Sequence, residues 1–167
     1  MIVVSNATPI ISLTKAGILD LLGSLYEEIL IPQAVYDELT TNNTFSHEVN
    51  TIKECKFLTV RKVGNEFAVK LLQKQLNLDL GESESIVLAE SIHSDLLIID
   101  EKKARRIAKE MGLKITGTLG FLVELKSRGK VNLIKPILDA MLESGIRISV
   151  LLYKEILHKS GELESFE

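Results

Sequence analysis

Leu96-Leu97-Ile98-Ile99-Asp100 is the stretch that decides the fold. Four apolar residues run together without a polar alternate, and an acid follows at once. An unbroken run of this kind predicts a strand buried on both faces, as in a parallel sheet covered by helices. Asp100 then stands at the carboxyl end of that strand, where open α/β sheets bind their ligands. Beyond it, Ala104, Ile107, Ala108 and Met111 recur at i, i+3, i+4 and i+7, an amphipathic helix closed by Gly112. Leu113-Lys114-Ile115-Thr116 reads as a further short strand. Thr118 reads as the N-cap of a helix running to about Arg128, with Gly129 ending it.

The same alternation extends toward the N-terminus. Ile2-Val3-Val4-Ser5 is an apolar strand, and Thr8-Pro9 reads as an N-cap with proline at the first helical position. Ile18 to Leu25 predicts a second helix. Glu28-Ile29-Leu30-Ile31 predicts a strand closed by Pro32, with a helix over about Gln33 to Thr40 after it. Thr40 to Ser46 is polar and Asn-rich, a loop. Val49 to Lys53 predicts a short helix, and Phe57-Leu58-Thr59-Val60 an edge strand. Helices follow over Phe67 to Leu76 and from Asp79 to about Ser94. After Lys130 the pattern is helical, over Ile134 to Leu142 and Leu151 to Lys159, with a break at Gly145. The expected architecture is α/β, a parallel central sheet with helices on both faces and a helical C-terminal extension, in one domain spanning 1–167.

Composition sets outer limits. Of 167 residues, 46% are apolar, enough for a core without disulfides or structural metals. Trp is absent and the net charge is −3, which argues against a broad base-stacking platform or an all-basic surface. The lone Cys55 cannot form an internal disulfide and suits a reducing cytoplasm. No secretory leader pattern is read at the start, and no apolar run is long enough to span a bilayer. His47, His93 and His158 belong to no ligand motif, and no glycine-rich phosphate loop is present.

Acidic residues recur where strands should meet helices. Glu38 lies one turn after Ala34 and Val35, at the rim of the crevice; the alternative is a solvated Asp37-Glu38 pair. Glu82 and Glu84 open the helix begun at Asp79, and Asp79 with Glu82 also fits a capping box, while Glu84 suits the positive end of the helix. Asp100 is a crevice candidate or an N-cap, and the two roles are compatible. Glu101 is read as facing solvent. Lys102, Lys103, Arg105 and Arg106 form the most basic cluster, able to steer a phosphodiester backbone or simply to be a solvated helix face. Thr116 and Thr118 flank Gly117 at the last strand's end, with hydroxyls able to bond a carboxylate or phosphate. Oxygen donors gathered at one crevice make a pocket for Mg²⁺ or Mn²⁺.

Five motifs in order resemble a PIN domain, the nuclease fold shared by VapC-type toxins, and the resemblance is nearest to a prokaryotic PIN-like subfamily. They are Val3-Val4-Ser5-Asn6-Ala7-Thr8-Pro9-Ile10, Ile31-Pro32-Gln33-Ala34-Val35-Tyr36-Asp37-Glu38-Leu39, Leu80-Gly81-Glu82-Ser83-Glu84-Ser85-Ile86, Leu97-Ile98-Ile99-Asp100-Glu101-Lys102-Lys103-Ala104-Arg105 and Thr116-Gly117-Thr118-Leu119-Gly120. The resemblance implies a Mg²⁺- or Mn²⁺-dependent endoribonuclease. It also implies RNA as substrate, a homodimer, and a cognate antitoxin protein as partner. Carried over, the family acids fall on Asn6, Glu38, Glu84 or Glu82, and Asp100. Metal ligands are then expected at Asn6, Glu38, Glu82, Glu84 and Asp100, catalysis at Glu38, Glu84 and Asp100, and substrate contacts at Lys103, Arg105 and Thr118. Asn6 departs from the family pattern: its amide oxygen can ligate a hard cation but brings no charge. A charge pair ~4 Å apart at an effective dielectric of ~20 exchanges about 4 kcal/mol, so the substitution weakens cation binding. The rival reading is a catalytically silent PIN-like module that binds nucleic acid or protein. A third is another α/β enzyme whose acids serve only as helix caps.

Overall fold

The computed structural model describes residues 1–41 and 46–163; the middle of the expected Asn-rich loop lies outside the described residues. The order is β1 (Val3–Ser5), α1 (Ala7–Lys15), α2 (Asp20–Leu25), β2 (Ile29–Pro32), α3 (Gln33–Thr41), α4 (Ser46–Glu54), β3 (Leu58–Arg61), α5 (Glu66–Leu76), α6 (Leu80–Ser91), β4 (Leu96–Ile98), α7 (Lys102–Glu110), β5 (Ile115–Thr116), α8 (Thr118–Ser127), α9 (Lys135–Glu143) and α10 (Val150–Lys159). All strand pairs are parallel and the sheet order is β3-β2-β1-β4-β5. The chain steps outward from β1 to β3, then returns to β1's other side for β4 and β5. The switch point therefore lies between the carboxyl ends of β1 and β4.

The unbroken apolar runs now have their explanation. Side chains of a strand alternate between faces, so each run feeds two cores at once. Val3, Ile29, Ile31, Leu96 and Ile98 pack on one face with Ile10, Leu13, Phe121, Leu122 and Leu138. Val4, Leu30, Leu97 and Ile99 pack on the other with Val69, Leu72, Ile86 and Ile107. The helical tail joins the first core through Leu138, Met141, Ile156 and Leu157. Among the described residues no helix is long and apolar enough to cross a membrane.

The caps of α1 and α8 differ from expectation. Thr8-Pro9 predicted a start after Thr8, but α1 begins at Ala7 with Asn6 at the cap position. Pro9 still falls in the first turn, where its missing N–H has no intrahelical partner to lose. Asn6 makes no side-chain cap bond, because its side chain turns toward α6 instead. Thr118 is likewise not the cap of α8; Gly117 occupies that position and has no side chain to contribute.

Remote carboxylates fill such gaps. Glu84 Oε2 accepts from Ala34 N–H of α3 at 2.9 Å. Asp100 Oδ1 accepts from Thr118 N–H of α8 at 2.7 Å. Glu162 accepts from Ile134 N–H at 2.6 Å, Lys135 N–H at 2.9 Å and Lys126 Nζ at 2.8 Å, closing the start of α9. Each places a negative charge at the positive end of a helix whose own sequence supplies no side-chain cap there.

Candidate active site

Ser5 ends β1, and Asn6 N–H donates to Ile98 O at 3.0 Å, tying the ends of β1 and β4 together at the switch point. Asn6 is buried, and its Oδ1 accepts a long 3.4 Å bond from Ser85 Oγ of α6. The first turn of α6 brings a glycine against it. A Cβ on Gly81 would lie 3.2 Å from Glu38 Oε2 and 3.6 Å from both Asn6 Oδ1 and Asp79 Oδ1. Three oxygens, from the end of β1, from α3 and from the cap of α6, thus face one point beside Gly81, which a side chain there would crowd.

The electrostatics of this point are strained. The Glu38 carboxyl is pushed above its ordinary range, first by burial and then by Asp79. Glu82 is pushed up as well: burial is the largest cause, with Asp79, Glu101 and Glu38 adding repulsion against the relief of its bond from Asp79 N–H. Asp79 and Glu82 form the expected capping box, with Glu82 N–H donating to Asp79 Oδ1 at 2.7 Å and Asp79 N–H to Glu82 Oε2 at 3.0 Å. The box aims both carboxylates at the N-terminal end of α6, beside Glu38.

Asp100 is held on both oxygens by one residue. Oδ1 takes the Thr118 N–H, and Oδ2 takes the Thr118 hydroxyl at 2.5 Å. Gly117 permits this approach: a Cβ there would lie 2.8 Å from Asp100 Oδ1 and 2.9 Å from Arg105 Nη1. Asp100 does not cap α7. Glu101 does, accepting from Ala104 N–H at 2.7 Å while remaining exposed.

A family model described as a PIN domain matches residues 2–162. The chain belongs to the PIN-domain family. Its members are nuclease-type proteins and are in general dependent on divalent metal. A search of curated proteins gives no match.

Within this PIN domain the residues singled out from the sequence are unevenly distributed. Asn6 and Glu38 converge at Gly81, and Glu82 shares their electrostatic field. One oxygen of Glu84, Oε2, accepts from Ala34 N–H at the start of α3. Asp100 and Thr118 are bound to each other at the start of α8. Arg105 turns back on the sheet and donates to Ile99 O at 2.8 Å, and Lys103 Nζ reaches Asn77 O at 3.4 Å. The rest of the basic cluster, with Lys109, lines an open surface groove along α7. Sequence reasoning took Asp79 only as a cap. The available signal was the capping box itself, because a box at the crevice edge delivers two acids there.

Among the described residues no three Asp, Glu, His or Cys side chains stand close enough together to hold a metal ion. The oxygen set at Gly81 contains two carboxylates and an amide, all hard donors suited to Mg²⁺ or Mn²⁺. Glu38 and Glu82 are raised first by burial and then by neighbouring carboxylates, and a cation there would relieve the repulsion among them. The donor chemistry therefore fits the metal that the family uses.

Proposed function

We propose that this PIN domain is a metal-dependent endoribonuclease whose cation is held by Asn6, Glu38 and Asp79, with Glu82 beside them. The observation that carries the reading is the convergence of three oxygens on Gly81 at the switch point of the sheet. A bound Mg²⁺ or Mn²⁺ supplies Lewis acidity at the scissile phosphate and makes the attacking water more acidic. Glu38 would ligate the cation with one carboxylate oxygen, leaving the other to accept a hydrogen bond from the attacking water. Asp100 fixes the start of α8 along the crevice wall. Lys102, Lys103 and Arg106 on α7 attract the phosphodiester backbone. On the same reading the chain acts on RNA in the cytoplasm, as a homodimer and as the toxin partner of an antitoxin protein.

The test compares wild type with Glu38→Gln on a mixed RNA pool with Mn²⁺, alongside calorimetric Mn²⁺ titration. Cleavage and Mn²⁺ binding are expected to fall together in the variant. Equal cleavage by both proteins removes this site from the chemistry.

A second reading, a catalytically silent PIN module, is favoured by the amide at Asn6 and by the want of a third close carboxylate among the described residues. Asn6→Asp separates the two. Cleavage gained only in the variant supports the silent reading; wild-type cleavage equal to the variant's rules it out.

A further inference from the structure

The two edges of the sheet are unlike. β5 is only two residues long and offers little backbone for pairing. β3 runs for four residues without proline, in unbroken register with β2, and Val60 in its second half is 37% exposed. Ile29 N–H donates to Phe57 O at 2.8 Å, and Ile29 stands opposite Leu58. A parallel ladder alternates along the strand, so Phe57, Thr59 and Arg61 turn their main-chain groups toward β2. Leu58, Val60 and Lys62 turn theirs outward. The Leu58 carbonyl, both main-chain groups of Val60 and the Lys62 N–H make no hydrogen bond to a described residue. Such a row of unpaired groups is a template for another strand.

The side chains indicate the occupant. Leu58 packs against the first core and Val60 shares its face, so one side of the edge is apolar. Thr59 and Arg61 lie on the other side, where the Thr59 hydroxyl donates to Glu28 Oε1 at 2.8 Å. Between Lys56 and Lys62 the only charge is Arg61, so the stretch carries three cations and no acid. Lys62 shares a cavity wall with Glu66 and Glu84, but exposed Lys56 and Arg61 make no ion pair with a described residue. A second copy of this chain is a poor occupant. Antiparallel self-pairing about Val60 sets Arg61 and Lys62 of both copies along one seam with no acid among them. A segment that alternates apolar and acidic residues matches both faces.

We infer that β3 receives an extended acidic segment of a partner protein as an added strand. Main-chain bonds to Leu58, Val60 and Lys62 hold it, as in other strand additions. Its apolar residues lie beside Leu58 and Val60, and its acids lie beside Arg61 and Lys56. The inference is independent of the ribonuclease reading, because it uses no residue of the oxygen cluster at Gly81 or of the basic cluster on α7.

The test measures fluorescence anisotropy of a labelled short peptide alternating valine and glutamate, with amide hydrogen exchange followed by NMR. Wild type should bind it, and the Val60 amide should exchange more slowly in the complex. The same peptide with lysine for glutamate, or N-methylated at two adjacent central amides, should not bind. Val60→Pro removes an N–H that faces away from β2, so the sheet keeps its ladder while peptide binding weakens about tenfold. Arg61→Ala should weaken binding about two- to fivefold and flatten its salt dependence. If Val60→Pro does not fold, the N-methylated peptide makes the same cut from the other side of the joint. Equal binding of the N-methylated peptide, or unchanged Val60 exchange in the complex, overturns the strand addition. So does a wild type that binds no acidic peptide, which leaves Lys56, Arg61 and Lys62 as a guard against edge-to-edge aggregation.

Discussion

Replacing Asp100 by alanine removes both acceptors of Thr118. The main-chain N–H that opens α8 loses its partner, and so does a hydroxyl on a residue only 4% exposed. A buried donor left unsatisfied costs about 1–3 kcal/mol. Asp100 is half-buried, so water can reach part of the gap, and the sum comes to about 3 kcal/mol rather than the upper limit. In a chain of this length that lowers Tm by about 6–12 °C. Asparagine behaves differently. Its Oδ1 can still accept from Thr118 N–H, and its amide can donate to the Thr118 hydroxyl. Only the negative charge at the start of α8 is lost, worth about 0.3–1 kcal/mol. Urea denaturation followed by circular dichroism should therefore rank wild type slightly above Asp100→Asn and well above Asp100→Ala. Indistinguishable midpoints for the two variants would refute the idea that Asp100 anchors α8. The pair also cleans up the functional test. Loss of RNA cleavage in Asp100→Ala mixes chemistry with an unanchored helix, whereas loss in a stable Asp100→Asn reports the charge alone.

Two further outcomes follow from the raised and lowered carboxyls. Glu38 binds a proton more readily folded than unfolded, so between its ordinary and its raised folded value stability falls as pH rises. Glu38→Gln should then unfold at higher urea than wild type at pH 7, with the difference closing below about pH 4, where both side chains are neutral. For Glu162, burial opposes the charge, but Ile134 N–H, Lys126 and Lys135 N–H outweigh it and hold the carboxyl below its ordinary range. Its contribution is full above the ordinary carboxylate value and is lost as pH falls through the lowered folded value. Glu162→Gln should lose about 1–2 kcal/mol near pH 7 in urea titrations and converge on wild type on acidification. A constant gap across the titration would contradict the ionised contact.

How much was legible in the sequence depends on what each residue answers to. β1, β2 and β4 were readable because both of their faces are buried, and a doubly buried strand must be apolar throughout. β3 was harder, since Val60 and Arg61 are exposed at the sheet's edge. The start of α1 was misplaced because Thr8-Pro9 satisfies a local rule that Asn6, in an extended conformation, pre-empts. Positions of the acids along the chain were readable; the directions of their side chains were not. Glu84 and Asp100 look like Glu38, yet each is drawn to a helix start 50 or 18 residues away. Asp79 was hidden for the opposite reason, because a complete local explanation, the capping box, left no residue to account for.

The remote caps have a consequence for how the chain is made. During synthesis α3 emerges 50 residues before the carboxylate that closes it, and α9 emerges some 27 residues before Glu162. Each nascent helix must hold a frayed first turn until a later segment docks. A ribosome-bound chain stopped short of position 162 therefore presents α9 with its leading amides bare, and the start of that helix becomes secure only once Glu162 has emerged and docked.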